Sequence, residues 1–186
     1  MNKIGIFFAE GFEEIEALTV VDLVRRAGIE IAMIGVDGKK EVAGSHDIIV
    51  KMDQTLEETD FEGLDMLVLP GGLKGTEGLE SCGTLMERLD DFYRSGKGIA
   101  AICAAPSIFG HRGYLKGRKA TSYPSFESHL EGATVTHCAV QVDGHVITGR
   151  GMGCSMPFGL AIVERFAGKE AAGQLAENTV WTDRDR

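Results

Sequence analysis

No stretch of this sequence reaches the roughly 18 consecutive apolar residues that a membrane-spanning helix needs. Met1-Asn2-Lys3 leads straight into a short strand, so no signal peptide is expected. There is no basic cluster either: 19 Lys and Arg stand against 28 Asp and Glu, for a net charge of −9. A net-acidic chain without a basic patch is a poor partner for nucleic acid or an anionic membrane surface. The four cysteines, Cys82, Cys103, Cys138 and Cys154, form no CxxC pair and no zinc spacing. Without an export signal, a reducing cytoplasmic setting and free thiols are expected. The five histidines (His46, His111, His129, His137 and His145) show no HExxH or paired metal spacing, so no metal is expected. A P-loop is missing. Gly149-Arg-Gly151-Met-Gly153-Cys154 departs from a dinucleotide loop at its last position, so no cofactor is expected. Internal repeats, low-complexity tracts and linkers are also missing.

What is present is an ordinary globular composition, 44% hydrophobic and 25% charged, in a chain of 186 residues that suits a single domain covering 1–186. The 25 glycines outnumber the 4 prolines and fall singly between apolar runs, which implies many tight turns. Residues 3–9, 29–36, 65–70 and 98–103 read as strands apolar on both faces, as in a parallel sheet. Residues 15–27, closed by Gly28, and 85–93, closed by Gly96, have helical spacing. A short helix follows Pro106. Hairpins are expected at 41–50 and at 141–148, the latter around Asp143-Gly144. A helix opens with Ser155 as cap and Pro157 in its first turn, runs to Gly168, and is followed by a last helix. Residues 182–186 read as a frayed tail. Strands alternating with helices give an α/β fold with a mostly parallel sheet covered on both faces.

Sites in such sheets form at the carboxyl ends of strands, which directs attention to three turns. At the first, Cys103 sits where a buried strand turns into a helix, flanked by Ala100, Ala101, Ala104 and Ala105. Small neighbours suit a nucleophile elbow, and a helix N-terminus behind the sulfur favours thiolate. The competing reading is a buried Cys in an Ala-rich crossover. At the second, Pro70-Gly71-Gly72, paired glycines can leave backbone N–H groups free for an oxyanion; a plain tight turn is the alternative. At the third, Glu13, Glu14 and Glu16 open the first helix. Acidic residues there usually sit in solvent, favoured by the helix dipole. One turned inward toward a cysteine would be desolvated, with a raised pKa; the local sequence does not choose among the three. His145 reads as solvated in its hairpin and His129 as part of a polar segment. Cys82 opens a helix, and Cys138 and Cys154 read as packing residues.

Taken in order, Ala9-Glu-Gly-Phe-Glu-Glu-Ile-Glu-Ala17, Asp65-Met-Leu-Val-Leu-Pro-Gly-Gly72, Ala100-Ala-Ile-Cys-Ala-Ala-Pro106 and Thr148-Gly-Arg-Gly151 resemble the ThiJ/PfpI superfamily. The likeness is greatest to its Parkinsonism-associated deglycase branch, which includes YajL-type proteins. The resemblance implies a flavodoxin-like three-layer sandwich in which Cys103 is the elbow nucleophile and Glu16 the carboxyl bonded to it. It places an oxyanion near Gly71, Gly72 and Ala104. It also implies a homodimer built partly on the first helix, with Arg26 and His46 near the interface; His46 stands where close relatives carry arginine. Several relatives have a histidine before a proline as a third catalytic member. Here that residue is Tyr123, a poor base near pH 7, which leaves the acid–base work to Glu16 and leaves Tyr123 and His129 as candidates for the missing histidine's role. The implied activity is cofactor-free glyoxalase or deglycase chemistry on a small aldehyde or glycated substrate through a hemithioacetal on Cys103. A redox sensor or chaperone using Cys103 sulfinate is the alternative, and a cysteine peptidase or amidase a weaker one.

Overall fold

Strand β1 (Lys3–Phe8) lies at the heart of a seven-stranded sheet, and every residue after Lys3 in it is buried. Its run of apolar residues has no polar face because the sheet is covered on both sides. The computed structural model describes residues 3–181; the expected tail at 182–186 lies outside them. Helix α1 (Glu14–Arg26) follows β1, then β2 (Glu30–Gly35), and the hairpin of β3 (Glu41–Ala43) with β4 (Ile49–Lys51). Next come β5 (Gln54–Thr55), β6 (Met66–Leu69), α2 (Leu73–Ser81), α3 (Gly83–Ser95) and β7 (Gly98–Ile102). Helix α4 (Pro106–His111) leads through β8 (Lys119–Ala120), a 3-10 segment (Pro124–His129) and β9 (Thr134–Val135) to the hairpin of β10 (Val140–Asp143) and β11 (Val146–Gly149). Helix α5 (Ser155–Asn178) is the last element.

The sheet order is β10-β11-β7-β6-β1-β2-β5, parallel throughout except for the β10–β11 hairpin. Two apolar layers flank it. On one side Phe7, Leu67, Leu69, Ile99 and Ala101 meet α3 and α4 through Leu85, Leu89, Ile108 and Phe109. On the other, Ile4, Ile6, Val68, Ala100 and Ile102 meet α1 and α5 through Ala17, Val20, Val24, Phe158 and Ile162. Each fully buried large aliphatic or aromatic side chain contributes about 1.5–3 kcal/mol, so these two layers dominate the stability. The result is an α/β sandwich of three layers, flavodoxin-like in arrangement.

Local departures have local causes. Helix α2 fills a stretch whose Gly75 and Gly78 give it poor helix propensity. Both glycines are required by packing: a Cβ on Gly75 would lie 2.7 Å from the Phe12 Cα, and one on Gly78 2.7 Å from the Ala9 Cβ. The helix can therefore lie directly on the turn after β1. Ser155 does not cap α5. It is the first helical residue, and its hydroxyl donates to the Met152 carbonyl at 2.6 Å. Gly168 breaks α5 with φ 86°, so two helices meet there end to end, as the expected stop requires. His145 is not solvated: its Nε2 is buried, its ring lies 5.2 Å from that of Tyr93, and burial with nearby Arg118 and Arg165 lowers its pKa.

Candidate active site

Cys103 follows β7 and adopts φ 66°, in the left-handed region that non-glycine residues rarely occupy. Such a conformation costs on the order of 1–3 kcal/mol and persists only where the surroundings enforce it. Here the Cys103 N–H donates to the Gly149 carbonyl at 3.0 Å, and the Cys103 carbonyl accepts the Tyr123 N–H at 2.8 Å. The bend lifts the side chain off the sheet toward two neighbouring turns. Ala100, Ala101, Ala104 and Ala105 are all buried, so bulkier residues would have no room.

The first neighbour is the turn after β6. A Cβ on Gly71 would lie 2.5 Å from Glu16 Oε2 and 2.6 Å from the Cys103 Cβ; only glycine fits. Gly72, at φ 90°, has no room for a Cβ against the Gly11 carbonyl. The Gly72 and Ala104 backbone N–H groups lie by the Cys103 sulfur and favour its charged form. Gly71 differs from the expectation placed on it. Its N–H donates to Glu16 Oε2 at 2.9 Å, so it holds the carboxyl and is not free to bind an oxyanion.

The second neighbour is α1. Glu16 has no exposed surface. Its Oε1 is buried with no hydrogen-bond partner among the described residues, and the carboxyl lies beside the Cys103 thiol. Burial pushes the Glu16 pKa up to about 7, against the opposing pull of the Cys103 and Gly71 hydrogen bonds. Burial and the Glu16 charge push the Cys103 thiol up to about 12, although the Gly72 and Ala104 N–H groups pull the other way. The helix N-terminus therefore does not by itself yield a thiolate, contrary to the expectation from the elbow alone. The Glu16 charge acts on the sulfur only while Glu16 is ionised. The pocket thus tolerates one negative charge: a carboxylate beside a thiol, or a carboxylic acid beside a thiolate.

The other candidates fall elsewhere. The side chain of Tyr123 is half exposed at the rim, packed beside Gly151. His129 is not brought to the sulfur; it pairs with His111 at the far end of α4. Glu14 is buried but turns to the other side of α1. Its Oε1 accepts the His46 backbone N–H at 2.8 Å, and its Oε2 accepts the Ser45 hydroxyl at 3.1 Å and lies 3.0 Å from His46 Nδ1. Arg26 pairs with Asp22 on the same helix. Among the described residues, Glu13, Glu14 and His46 bring three potential metal-ligating atoms within 4.8 Å, but the Glu14 oxygens are already engaged by Ser45 and His46. Cys138 and Cys154 are half-buried, and the Cys138 sulfur lies 3.1 Å from the Val140 carbonyl.

A strained cysteine, a buried carboxyl beside its sulfur and two nearby N–H groups form one constellation. The sequence profile of the DJ-1/PfpI family matches residues 2–165. The chain belongs to that family. It is 36% identical over 183 residues to the Parkinson disease protein 7 homolog of Danio rerio, with 96% of each chain covered. It is 39% identical over 179 residues to Protein DJ-1 homolog B of Arabidopsis thaliana, covering 96% of this chain and 41% of that one. The chain thus spans less than half the length of the Arabidopsis relatives it matches. The oxidized DJ-1 of Toxoplasma gondii superposes with a TM-score of 0.93 at 31% identity, over 98% of this chain and all of that one. No helix among the described residues is long and apolar enough to cross a membrane.

Proposed function

We propose that this DJ-1/PfpI member is a cofactor-free enzyme converting α-oxoaldehydes to 2-hydroxy acids, with release of glycated groups as related chemistry. The observation that carries the reading is the fully buried Glu16 carboxyl, with one oxygen unpartnered, beside the strained Cys103. The thiolate adds to the aldehyde carbon, and the new C–S bond turns the carbonyl π pair into an oxyanion. Gly72 and Ala104 N–H groups hold that charge, as preorganised donors do. Protonated Glu16 delivers its proton to the oxyanion. The resulting carboxylate takes the C1 hydrogen as a proton, giving an enediolate, and returns it to C2 while the hydroxyl proton passes from the C1 oxygen to the C2 oxygen, giving a thioester. Water attacks the thioester, expels the thiol and leaves the hydroxy acid. A carboxyl with a pKa near 7 suits both directions of transfer. In this reading Tyr123, at the rim, hydrogen-bonds a substrate oxygen.

The test is steady-state loss of methylglyoxal with lactate as product. Turnover should be abolished in Cys103→Ala, and reaction with iodoacetamide should modify Cys103 ahead of Cys82. Lactate formation at the wild-type rate by Cys103→Ala would refute the reading. A second reading has one observation in its favour. A protonated Glu16 facing the sulfur would also donate to a Cys103 sulfinate and stabilise it. Sulfinate accumulation under mild peroxide, without methylglyoxal turnover, would favour the sensor over the enzyme. The assembly we propose is a homodimer: Ile15, Ile48, Ile49 and Leu73 are exposed around the start of α1, and sedimentation should give twice the 20.0 kDa chain mass.

A further inference from the structure

Three side chains that the reaction does not use meet on the helix layer formed by α2 and α4. Glu80 lies in the last turn of α2, His111 is the last residue of α4, and His129 ends the 3-10 segment. Glu80 Oε1 is 2.6 Å from His111 Nδ1, and His111 Nε2 is 3.0 Å from His129 Nδ1. Glu80 and His111 are each about one-third exposed, at 37% and 35%, and His129 is exposed, so the group is open to solvent.

The hydrogen bond to Glu80 has a chemical consequence. A carboxylate accepts, so His111 donates through Nδ1–H; in the neutral ring its Nε2 then carries a lone pair, which accepts Nδ1–H of His129 until a metal displaces that proton. That lone pair faces a second imidazole nitrogen. Carboxylate-to-histidine orientation of this kind is the usual support of a metal-ligating imidazole. Nitrogen ligands sit about 2.0–2.1 Å from zinc, so two of them on one ion lie about 2.9–3.4 Å apart for angles between 90° and tetrahedral. The observed separation of 3.0 Å falls within that span.

We propose that His111 Nε2 and His129 Nδ1 form a binding site for a divalent transition metal of the zinc, nickel or copper class. Glu80 is its positioning residue, and water completes the coordination. Imidazole nitrogen suits these ions and not the oxygen-seeking calcium or magnesium. The three contributing elements each begin at a turn of the candidate active site. Helix α2 follows Gly72, α4 follows Cys103 and Ala104, and the 3-10 segment follows Tyr123. A bound ion would tie their far ends together, on a face separate from the sulfur.

The test is zinc titration of the full chain, read by calorimetry and by NMR of the histidine side-chain nitrogens. One equivalent should bind, shifting the His111 and His129 resonances together while those of His46, His137 and His145 stay fixed. His111→Gln and His129→Gln should each weaken binding at least tenfold. Glu80→Ala should weaken it about 10–100-fold, with both imidazoles still responding. Cobalt(II) should give visible bands without an intense near-ultraviolet thiolate charge-transfer band. Absence of saturable zinc binding, zinc shifts at only one of the two imidazoles, a thiolate band, or unchanged affinity in both histidine variants would overturn the proposal. The wild-type NMR arm decides the matter even if a variant folds poorly.

Discussion

Two carboxylates in the first turn of α1, Glu14 and Glu16, are both buried and yet titrate in opposite directions. Glu14 is held down at about 2 and Glu16 is raised to about 7. Burial raises both. What separates them is what each meets after leaving the helix about 200° apart around its axis. Glu14 meets the Ser45 hydroxyl, the His46 N–H and the His46 imidazole, three donors to a charged carboxylate, and these overcome its desolvation. Glu16 meets one N–H, from Gly71, and a sulfur whose own charge would oppose it. One carboxylate thus anchors a loop and the other is kept ready to hold a proton. Burial alone does not mark a catalytic acid; burial with too few donors does.

The comparison can be broken first on activity, where the effect should be largest. Glu16→Gln keeps the shape but cannot carry a proton, so methylglyoxal turnover should fall about 10²-fold or more. Glu14→Gln should leave turnover within about threefold of the wild type, since threefold is under 1 kcal/mol of barrier. Equal losses in both variants would remove the distinction. The second effect is on stability against pH. A carboxyl raised from 4.5 to about 7 favours the folded state fully below pH 4.5, and that contribution is lost as pH rises through 7. The span is about 3 kcal/mol. Glu16→Gln, which cannot ionise, should therefore gain stability relative to the wild type between pH 4.5 and 8, measured by urea unfolding. A constant difference across that range would mean that Glu16 is not protonated in the fold.

Much of this arrangement is legible in the sequence, and the illegible parts share a cause. The elbow is marked by the alanines around Cys103 and the strand-to-helix change at that point. The twin glycines mark the second turn. The choice between Glu14 and Glu16 is not written locally, because their partners lie far along the chain: Ser45 and His46 for one, Gly71 and Cys103 for the other. His145 reads as a solvated hairpin residue only until Tyr93, 52 positions earlier, is known to cover it. Helix α2 is hidden for a similar reason. Gly75 and Gly78 depress its propensity, and the need for them comes from Phe12 and Ala9 on another element. The role of Gly71 also depends on tertiary placement, since its N–H serves Glu16 only because the first turn of α1 meets the turn after β6.

Smaller effects sharpen the Glu14 side. Glu14→Gln retains shape but loses charge-assisted bonds, so it should cost about 1–2 kcal/mol at neutral pH, or roughly 2–8 °C in melting temperature. The sign with pH is opposite to that of Glu16. A carboxyl lowered from 4.5 to about 2 stabilises the fold above pH 4.5 and loses that contribution as pH falls through 2. The gap between Glu14→Gln and the wild type should therefore close on acidification, whereas the Glu16→Gln gap opens on alkalinisation.

The smallest effect should come from His46→Ala. The His46 side chain is largely exposed and its imidazole pKa is raised, first by the hydrogen bond with Glu14 and then by the Glu13 and Glu14 charges. Deleting the ring removes only one of the donors on Glu14. The backbone N–H of residue 46 and the Ser45 hydroxyl remain, at 2.8 and 3.1 Å. Exposed ion pairs of this kind contribute little in water. Carbon-detected NMR titration should thus find the Glu14 carboxyl shifted upward but still below 4.5, with Glu16 unmoved near 7. If Glu14 instead rose past 4.5 in His46→Ala, the imidazole alone would be holding it ionised, and the contrast between the two carboxylates would rest on one exposed side chain rather than on the buried loop.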